Sequence, residues 1–426
     1  MKKPLDLSFK KANTTYLTHG FHSFAARFPP QLPRLFIERL TKPGEMVLDP
    51  MCGSGTTNVE ALLLKRNSVG LDIDPLAVLI SKCKVTPLSI DRLYECLMNV
   101  VSSLLRFKKY SLTWFVEGRD VDDTIEANLS EYPPDVRRFF NYWFKPKTIA
   151  ELATIVKIIR EIEDPDIRRF FEVCFSSIII RKSGGVSLAR DLAHSRPHRD
   201  ARKRVPCAFD EFIKRAYTMF GLMKEFLSKC PNGVIAEIIW GDCRKLPIED
   251  CSIDLIVTSP PYANAIDYLR AHKFSLFWLG YTPKDIACLY PHYIGTERGF
   301  KKPYLKYRLK EAEQVVQMVI NKDEKRGAIL ANYFNNMVEA ISEMHRVLKP
   351  GKRCIIVIGP STIRGILVET HKVIVEIGEQ MGFKCISIIE REIDRDKRQL
   401  PLSRNRGLIN RIEARIHSES VIIFRK

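Results

Sequence analysis

Residues 42–85 read KPGEMVLDPMCGSGTTNVEALLLKRNSVGLDIDPLAVLISKCKV. An apolar run ends at Leu48-Asp49, as a strand does, and Gly53 and Gly55 then break the chain. TNVEALLL returns apolar residues at helical spacing, SVGLDID reads as a second strand and PLAVLISKCKV as a second helix. Strand, glycine turn, helix, strand, helix is the opening of a doubly wound α/β sheet. A short amphipathic helix, PRLFIERL (33–40), precedes it.

Working outward, the alternation stops after residue 88. Residues 89–231 carry mostly helical periodicity, as in IAELATIVKIIREIED and DIRRFFEVCFSSIIIRK. Alternation resumes with VIAEIIWGDCRKLP and SIDLIVTSPPY, each a strand and the loop after it. Residues 281–328 read as a second, irregular and charged insert. A helix (NNMVEAISEMHRVL), a turn (KPGK), a strand (RCIIVIG), a helix (HKVIVEIGEQMG) and two strand-like runs (KCISIIEREI, SVIIFRK) close the chain. The expected architecture is a Rossmann-like sheet assembled from 1–88 and 232–426, with a mainly helical insertion at 89–231 as the candidate recognition domain.

Composition narrows the function. The chain has 426 residues and a formal net charge of +18, which favours a polyanionic partner, with nucleic acid the first candidate. Its eleven cysteines contain no C-x-x-C pair, which argues against a zinc ribbon. The N-terminus MKKPLDLSFKKANTTY lacks an apolar signal core, and no run of 18 apolar residues predicts a membrane span. Reduced thiols and a cytoplasmic, nucleoid-associated location fit best.

The turn LDPMCGSGT (48–56) has G-x-G without the third glycine of a dinucleotide fingerprint and without the G-K-[ST] of a P-loop. Gly53 and Gly55 permit a tight turn and close approach of a ligand to the backbone. Asp72, at the end of the second strand, can accept both hydroxyls of a ribose, and Asp242 after the third can accept from an adenine amine. Asp74 is better placed as the cap of the helix that starts at Pro75.

The most specific motif is Thr258-Ser259-Pro260-Pro261-Tyr262, after the apolar strand Leu255–Val257. Two prolines fix φ and remove N–H donors, leaving a stiff loop whose carbonyls are free to accept. Ser259 adds a side-chain acceptor and Tyr262 a flat face on which a base can stack.

Ser-Pro-Pro-Tyr after such a strand resembles the catalytic motif of S-adenosylmethionine-dependent amino-methyltransferases of DNA. The serine form is characteristic of the cytosine-N4 enzymes, where adenine-N6 enzymes usually carry Asp or Asn. DPMCGSGT is similar to that family's cofactor loop, HSFAARFPPQL (22–32) to its N-terminal cofactor-contact motif, and Arg346–Lys352 to a turn common among methyltransferases. SPPYANAIDYLRAHKFSLFWLG (259–280) resembles an extended signature of a solitary cytosine-N4 group. The resemblance covers the two core pieces well and the insertions poorly.

It implies catalysis by Ser259, Pro260, Pro261 and Tyr262. Cofactor contacts would come from Phe28, Pro29, Asp49, Cys52, Gly53, Gly55, Thr56, Asp72, Asp242 and Ser259. Further implications are S-adenosylhomocysteine as product, no required metal, double-stranded DNA as substrate and a cognate restriction endonuclease as candidate partner. Adenine-N6 methylation, RNA methylation and a silent DNA-binding protein are the competing readings.

The segment 181–204 supplies the cations for DNA: Arg181, Lys182, Arg190, Arg196, Arg199, Arg202, Lys203 and Arg204, against Asp191 and Asp200 only. Gly184-Gly185 and Pro197 keep it from being one helix, which suits phosphate contact. The basic run 395–411 is a second candidate lining of the cleft. Pro206-Cys207 lacks the apolar strand and following Gln of a cytosine-C5 nucleophile, so Cys207 reads as structural. His194, His198 and His292 have no metal-ligand spacing.

Overall fold

The computed structural model describes residues 7–117, 129–181, 185–190, 192, 197–263, 267–296, 304–394 and 416–426. The strands, in chain order, are β1 (Met46–Asp49), β2 (Asn67–Asp72), β3 (Ala189–Arg190), β4 (His198–Arg199), β5 (Ala236–Trp240), β6 (Ile253–Thr258), β7 (Leu348–Ile358), β8 (Ser361–Ile363), β9 (Ile366–Val368), β10 (Lys384–Glu392) and β11 (Ser418–Arg425). Seven form one sheet in the order β10-β11-β7-β6-β1-β2-β5, and β3–β4 and β8–β9 are small hairpins. From β5 to β7 all neighbours are parallel, while β11 runs antiparallel to both β7 and β10. The chain winds outward one way through β2 and β5 and the other way through β6 and β7. The reversal falls between β1 and β6, where ligands of open α/β sheets bind.

Side-chain alternation sorts the sheet residues into two cores. Leu48, Ile256, Cys354, Ile356 and Phe424 pack with the helices α11 (Lys310–Ile320), α12 (Glu324–Val347) and α13 (Thr370–Gln380) on one face. Val47, Leu255, Val257, Ile355 and Val421 pack with α1 (Gln31–Leu40) and Phe28 on the other. β6 is buried at every position, as a central parallel strand covered on both faces must be.

The segment 89–231 folds into α4 (Ile90–Glu117), α5 (Pro134–Trp143), α6 (Pro146–Arg160), α7 (Pro165–Ile179) and α8 (Ala208–Lys229). Proline opens α5, α6 and α7 at the position where its missing N–H costs nothing, and Asp164 caps α7 through the N–H groups of Asp166 and Ile167. These helices share one continuous core with α2 (Thr56–Leu63), α3 (Pro75–Val85) and α9 (Tyr268–Leu276). Phe140 stacks on Trp278 at 3.8 Å, and Tyr132 donates to the Trp278 carbonyl at 3.1 Å.

Two expectations need correction. The 281–328 stretch is not simply irregular: it contains α10 (Pro283–Leu289), α11 and the first turn of α12, capped by Thr282 and Asp323. Its charges face outward while Ala312, Val316 and Val319 face the core, a period that the charge density hid. KPGK is also not a free turn. β7 begins at Leu348, and Gly351 donates its N–H to the carbonyl of Lys426 at 2.8 Å.

At the amino end of the sheet, Asp254 ties three strands together. It accepts from the Met46 N–H at 3.1 Å, from Lys349 Nζ at 2.9 Å and from Lys352 Nζ at 3.0 Å. Burial works against its charge, but these partners hold its carboxyl below the usual range. Asp254→Asn is expected to lower stability by about 1–3 kcal/mol at pH 7, measured by urea unfolding. Because the folded-state value is depressed, the contribution is present above the unfolded carboxyl value and disappears as pH falls through the folded one. An undiminished difference at pH 3 would contradict this account.

Candidate active site

The carboxyl ends of β1, β2, β5 and β6 open on one cleft. Its lining includes Phe28, Asp49, Cys52, Gly53, Thr56, Asp72, Asp242 and the whole of Ser259–Tyr262. The sheet thus gathers in one place residues far apart in sequence. Pro29 lies instead along a neighbouring cavity, and Gly55 acts from behind the lining as the left-handed start of α2.

The glycine turn has the geometry of a cradle. Gly53 has φ +50° and Gly55 φ +72°. A Cβ on Gly55 would stand 2.9 Å from the Ser81 Cβ, so the turn packs directly on α3. No side chain caps α2, and its first residue, Thr56, lines the cleft. The Gly53 N–H donates to Asp72 Oδ2 at 2.8 Å and the Asp74 N–H to Asp72 Oδ1 at 2.9 Å.

Burial sets the electrostatics. Asp72 is pushed up to about 7, first by burial and then by the neighbouring Asp74. Asp49 is pushed up to about 6 by burial, against hydrogen bonds that favour its charge. Thr258 Oγ1 donates to Asp49 Oδ1 at 2.7 Å. Asp74 caps α3 through the N–H groups of Leu76 and Ala77, and its other oxygen meets His272 Nδ1 at 2.7 Å. Burial raises the Asp74 carboxyl, but His272 and the cap hold it below the usual range.

Asp242 is not a free acceptor. Both its oxygens receive Arg244, at 2.9 Å from Nε and 2.5 Å from Nη2, and this pairing outweighs burial to keep it low. Tyr262 is likewise less open than a bare stacking face: it is 6% exposed and its hydroxyl donates to Glu419 at 2.5 Å. Phe28 is 7% exposed, at the edge of the core shared with α1.

Several lining residues went unselected in the sequence. Phe24 lies 3.1 Å from where a Gly53 Cβ would be, and its ring stacks on Tyr268 at 5.3 Å. Tyr268 donates to the Ala25 carbonyl at 3.1 Å. Tyr293 and Ile294 close another side. Phe24 falls inside HSFAARFPPQL and Tyr268 inside the extended 259–280 stretch, so both had a signal; Tyr293 had none.

The basic segment divides. Arg202 and Arg204 are exposed, Arg190 pairs with Asp200, and Arg181 pairs with Glu211 at 2.6 Å. Arg199 donates to the Tyr142 carbonyl at 2.6 Å and lies 4.8 Å from the centre of the Tyr142 ring. Lys203 is a structural cation: its ammonium donates to the carbonyls of Gly185, Ser187 and Ala189. Lys182, Arg196, His194 and the 395–411 run lie outside the described residues. Cys207 precedes α8 with its sulfur 3.4 Å from Glu151, and burial pushes its thiol up. Among the described residues no group of three or more His, Cys, Asp or Glu could hold a metal, and no helix is long and apolar enough to cross a membrane.

Residues 6–82 and 253–426 match a family model described as DNA methylase. The chain is 29% identical to the Type II methyltransferase M.MvaI of Kocuria varians, covering 87% of this chain and 83% of that one. It is 24% identical to the Type II methyltransferase M.MjaII of Methanocaldococcus jannaschii, covering 80% of each. A solved SAM-dependent methyltransferase from Methanosarcina mazei aligns over 92% of this chain and 96% of its own at 9% identity, with a TM-score of 0.31.

The turn itself is testable. Gly55→Ala forces a side chain into φ +72° and against Ser81, whereas Gly44 has φ +84° with nothing within 4 Å of its missing Cβ. Gly55→Ala should cost about 1–3 kcal/mol and Gly44→Ala clearly less, compared by denaturant unfolding. Equal losses would show that contact with Ser81 contributes nothing.

Proposed function

The chain belongs to the DNA methylase family, and from that premise we propose that it methylates the exocyclic N4 amine of cytosine in duplex DNA, using S-adenosylmethionine. The observation that carries this reading is the single cleft shared by the glycine turn, Asp72 and the Ser259–Tyr262 loop. Serine in the loop's first position supports cytosine N4 over adenine N6. The Type II class of the relatives supports a place in restriction-modification, with a cognate endonuclease as partner.

The cleft's residues fit the cofactor. Gly53 and Gly55 take the left-handed backbone of a tight turn whose Gly53 lines the cleft, and the half-buried Asp72 carboxylate is already anchored by two N–H groups with lone pairs left to accept ribose hydroxyls. Phe28, Cys52 and Thr56 add walls, and Phe24 with Tyr268 adds aromatic area. When bound, the cofactor supplies an electrophilic sulfonium methyl group.

The remaining chemistry falls to the loop. The amine lone pair of a nucleobase is delocalised into the ring, which makes it a poor nucleophile. Ser259 Oγ and the Pro260 carbonyl accept its two hydrogens, which favours pyramidalisation and localises the lone pair. Pro260 and Pro261 hold these acceptors still, so no reorganisation is needed at transfer. The base must leave the duplex to reach the loop, and one face of the Tyr262 ring receives it. Arg202 and Arg204, with the β3–β4 hairpin, contact phosphates and set register. The helical segment 89–231 contributes to target recognition.

Three measurements test this. DNA from a methylation-free host expressing the protein, digested to nucleosides for mass spectrometry, should contain N4-methylcytosine; N6-methyladenine would overturn the target base. Ser259→Ala should abolish that product while cofactor affinity stays within about threefold, since the serine is assigned to the amine. Cofactor affinity should also rise with pH between 6 and 8, as Asp72 ionises near 7 and gains acceptor strength. Calorimetric titration showing flat affinity across that range would remove Asp72 from the ribose.

A further inference from the structure

We infer that Glu419 is a positioning residue for methyl transfer: through the phenol of Tyr262 it fixes the plane of that ring. The inference rests on the reading of the Ser259–Tyr262 loop as the transfer site.

Tyr262 is held on two sides. One side of its ring lies against Gly359, just beyond β7, where a Cβ would come within 2.6 Å of ring carbon Cε2. Its hydroxyl donates to Glu419 Oε1 at 2.5 Å. Glu419 Oε2 in turn accepts from Arg391 Nη1 at 2.5 Å, and Arg391 Nε donates to the Leu7 carbonyl at 3.1 Å. Arg391 and Glu419 stand directly opposite each other in the β10–β11 register. Arg391 is 5% exposed and Glu419 is partly buried, so each charge depends on the other.

The location gives this network its purpose. Tyr262 lines the cleft that holds Ser259 and Asp72, and it also lines a second, more polar cavity beside Glu419, Arg391 and Arg215. Glu419 and Arg391 line only the second. The ring stands between the two spaces together with Phe24, Ala26, Arg27 and Phe28, and its hydroxyl is tethered from the side of the second. Without the tether, the ring can swing about its side-chain torsions and lose the face offered to a base. The phenol serves as an anchor and not as an acid: burial, reinforced by the adjacent carboxylate, keeps it protonated.

Tyr262→Phe removes only the hydroxyl and leaves the Glu419–Arg391 pair in place, so it is the cleanest variant. Single-turnover methyl transfer to unmethylated duplex DNA is measured for wild type, Tyr262→Phe, Glu419→Ala and the double variant, alongside cofactor affinity by calorimetry. Each single variant should slow transfer about tenfold with cofactor affinity unchanged, and the double variant should be no slower than either. A wild-type rate in Tyr262→Phe, or losses that multiply in the double variant, would overturn the inference. A fold-only role for Glu419 predicts lower stability with an unchanged rate per folded molecule, which would also overturn it. Where Glu419→Ala does not fold, Glu419→Leu/Arg391→Met replaces it, and Glu419→Gln, whose amide oxygen still accepts from the phenol, should restore most of the rate; a rate as low as without the acceptor would overturn the inference. If the wild-type protein transfers no methyl group to DNA, the functional reading fails separately. The ring is then read from a crystal structure of Glu419→Leu/Arg391→Met, which removes the acceptor and its buried partner together: a rotated Tyr262 supports the tether and an unmoved one overturns it.

Discussion

The 2.7 Å hydrogen bond from Thr258 Oγ1 to Asp49 Oδ1 spans the crevice between β1 and β6, where the strand order reverses. Both groups are almost wholly buried. A carboxylate there is costly unless it is hydrogen-bonded, and its Oδ1 accepts from both the Met51 N–H and the Thr258 hydroxyl. The bond therefore fixes the exit of β1, from which the glycine turn springs, against the exit of β6, from which Ser259-Pro260-Pro261-Tyr262 springs. The distance between cradle and transfer loop is set by this contact and by the parallel register of Val47 with Leu255 and Leu48 with Ile256. Asp72 and Asp242 join the site from the neighbouring strands β2 and β5.

The helical segment then acts on the same frame. It does not sit apart from the sheet, because its core runs without a break into α2, α3 and α9. His22 reaches Ser176 at 2.9 Å, and Ser176 reaches Ser275, joining the N-terminal segment, α7 and α9 in one buried chain. Arg215 on α8 donates to the carbonyls of Gly20 and Phe21 and to Ser177. The strap from Gly20 to Phe28, which covers the cleft, is thus pinned by helices of the insertion. On the proposed reading, contact between the helices and DNA has a short mechanical route to the cofactor side.

How much of this was legible in the sequence follows from the range of each interaction. The glycine turn and Ser-Pro-Pro-Tyr declare themselves because their function resides in local backbone geometry, which residue type dictates. The seven sheet strands were legible as elements for the same reason. The antiparallel placement of β11 between β7 and β10 was not, because pairing order is decided by packing across the whole sheet. Asp242 read as a free acceptor since nothing in GDCRKLP announces that Arg244 folds back on it. Glu419 was invisible: the last strand brings it to Tyr262 from the far end of the chain. The helices of 281–328 were lost in their charge density, which periodicity separates only once the buried faces are known.

Charge makes the same distinction at the surface. A formal +18 suggests a uniformly attractive protein, yet the segment 181–204 consumes much of its own charge. Lys203 gathers three carbonyls and thereby shapes the chain around it, while its neighbours Arg202 and Arg204 stay exposed. Arg190 and Asp200 form a solvent-facing pair across the β3–β4 hairpin. Such a pair contributes little to stability, so a phosphate can displace the carboxylate at small cost. A basic loop that is internally braced loses less conformational entropy on binding than one whose cations are all free. On the proposed reading, the cations that organise the segment and those that remain exposed serve one end, and counting them together, as the sequence invites, hides the division of labour that the fold imposes.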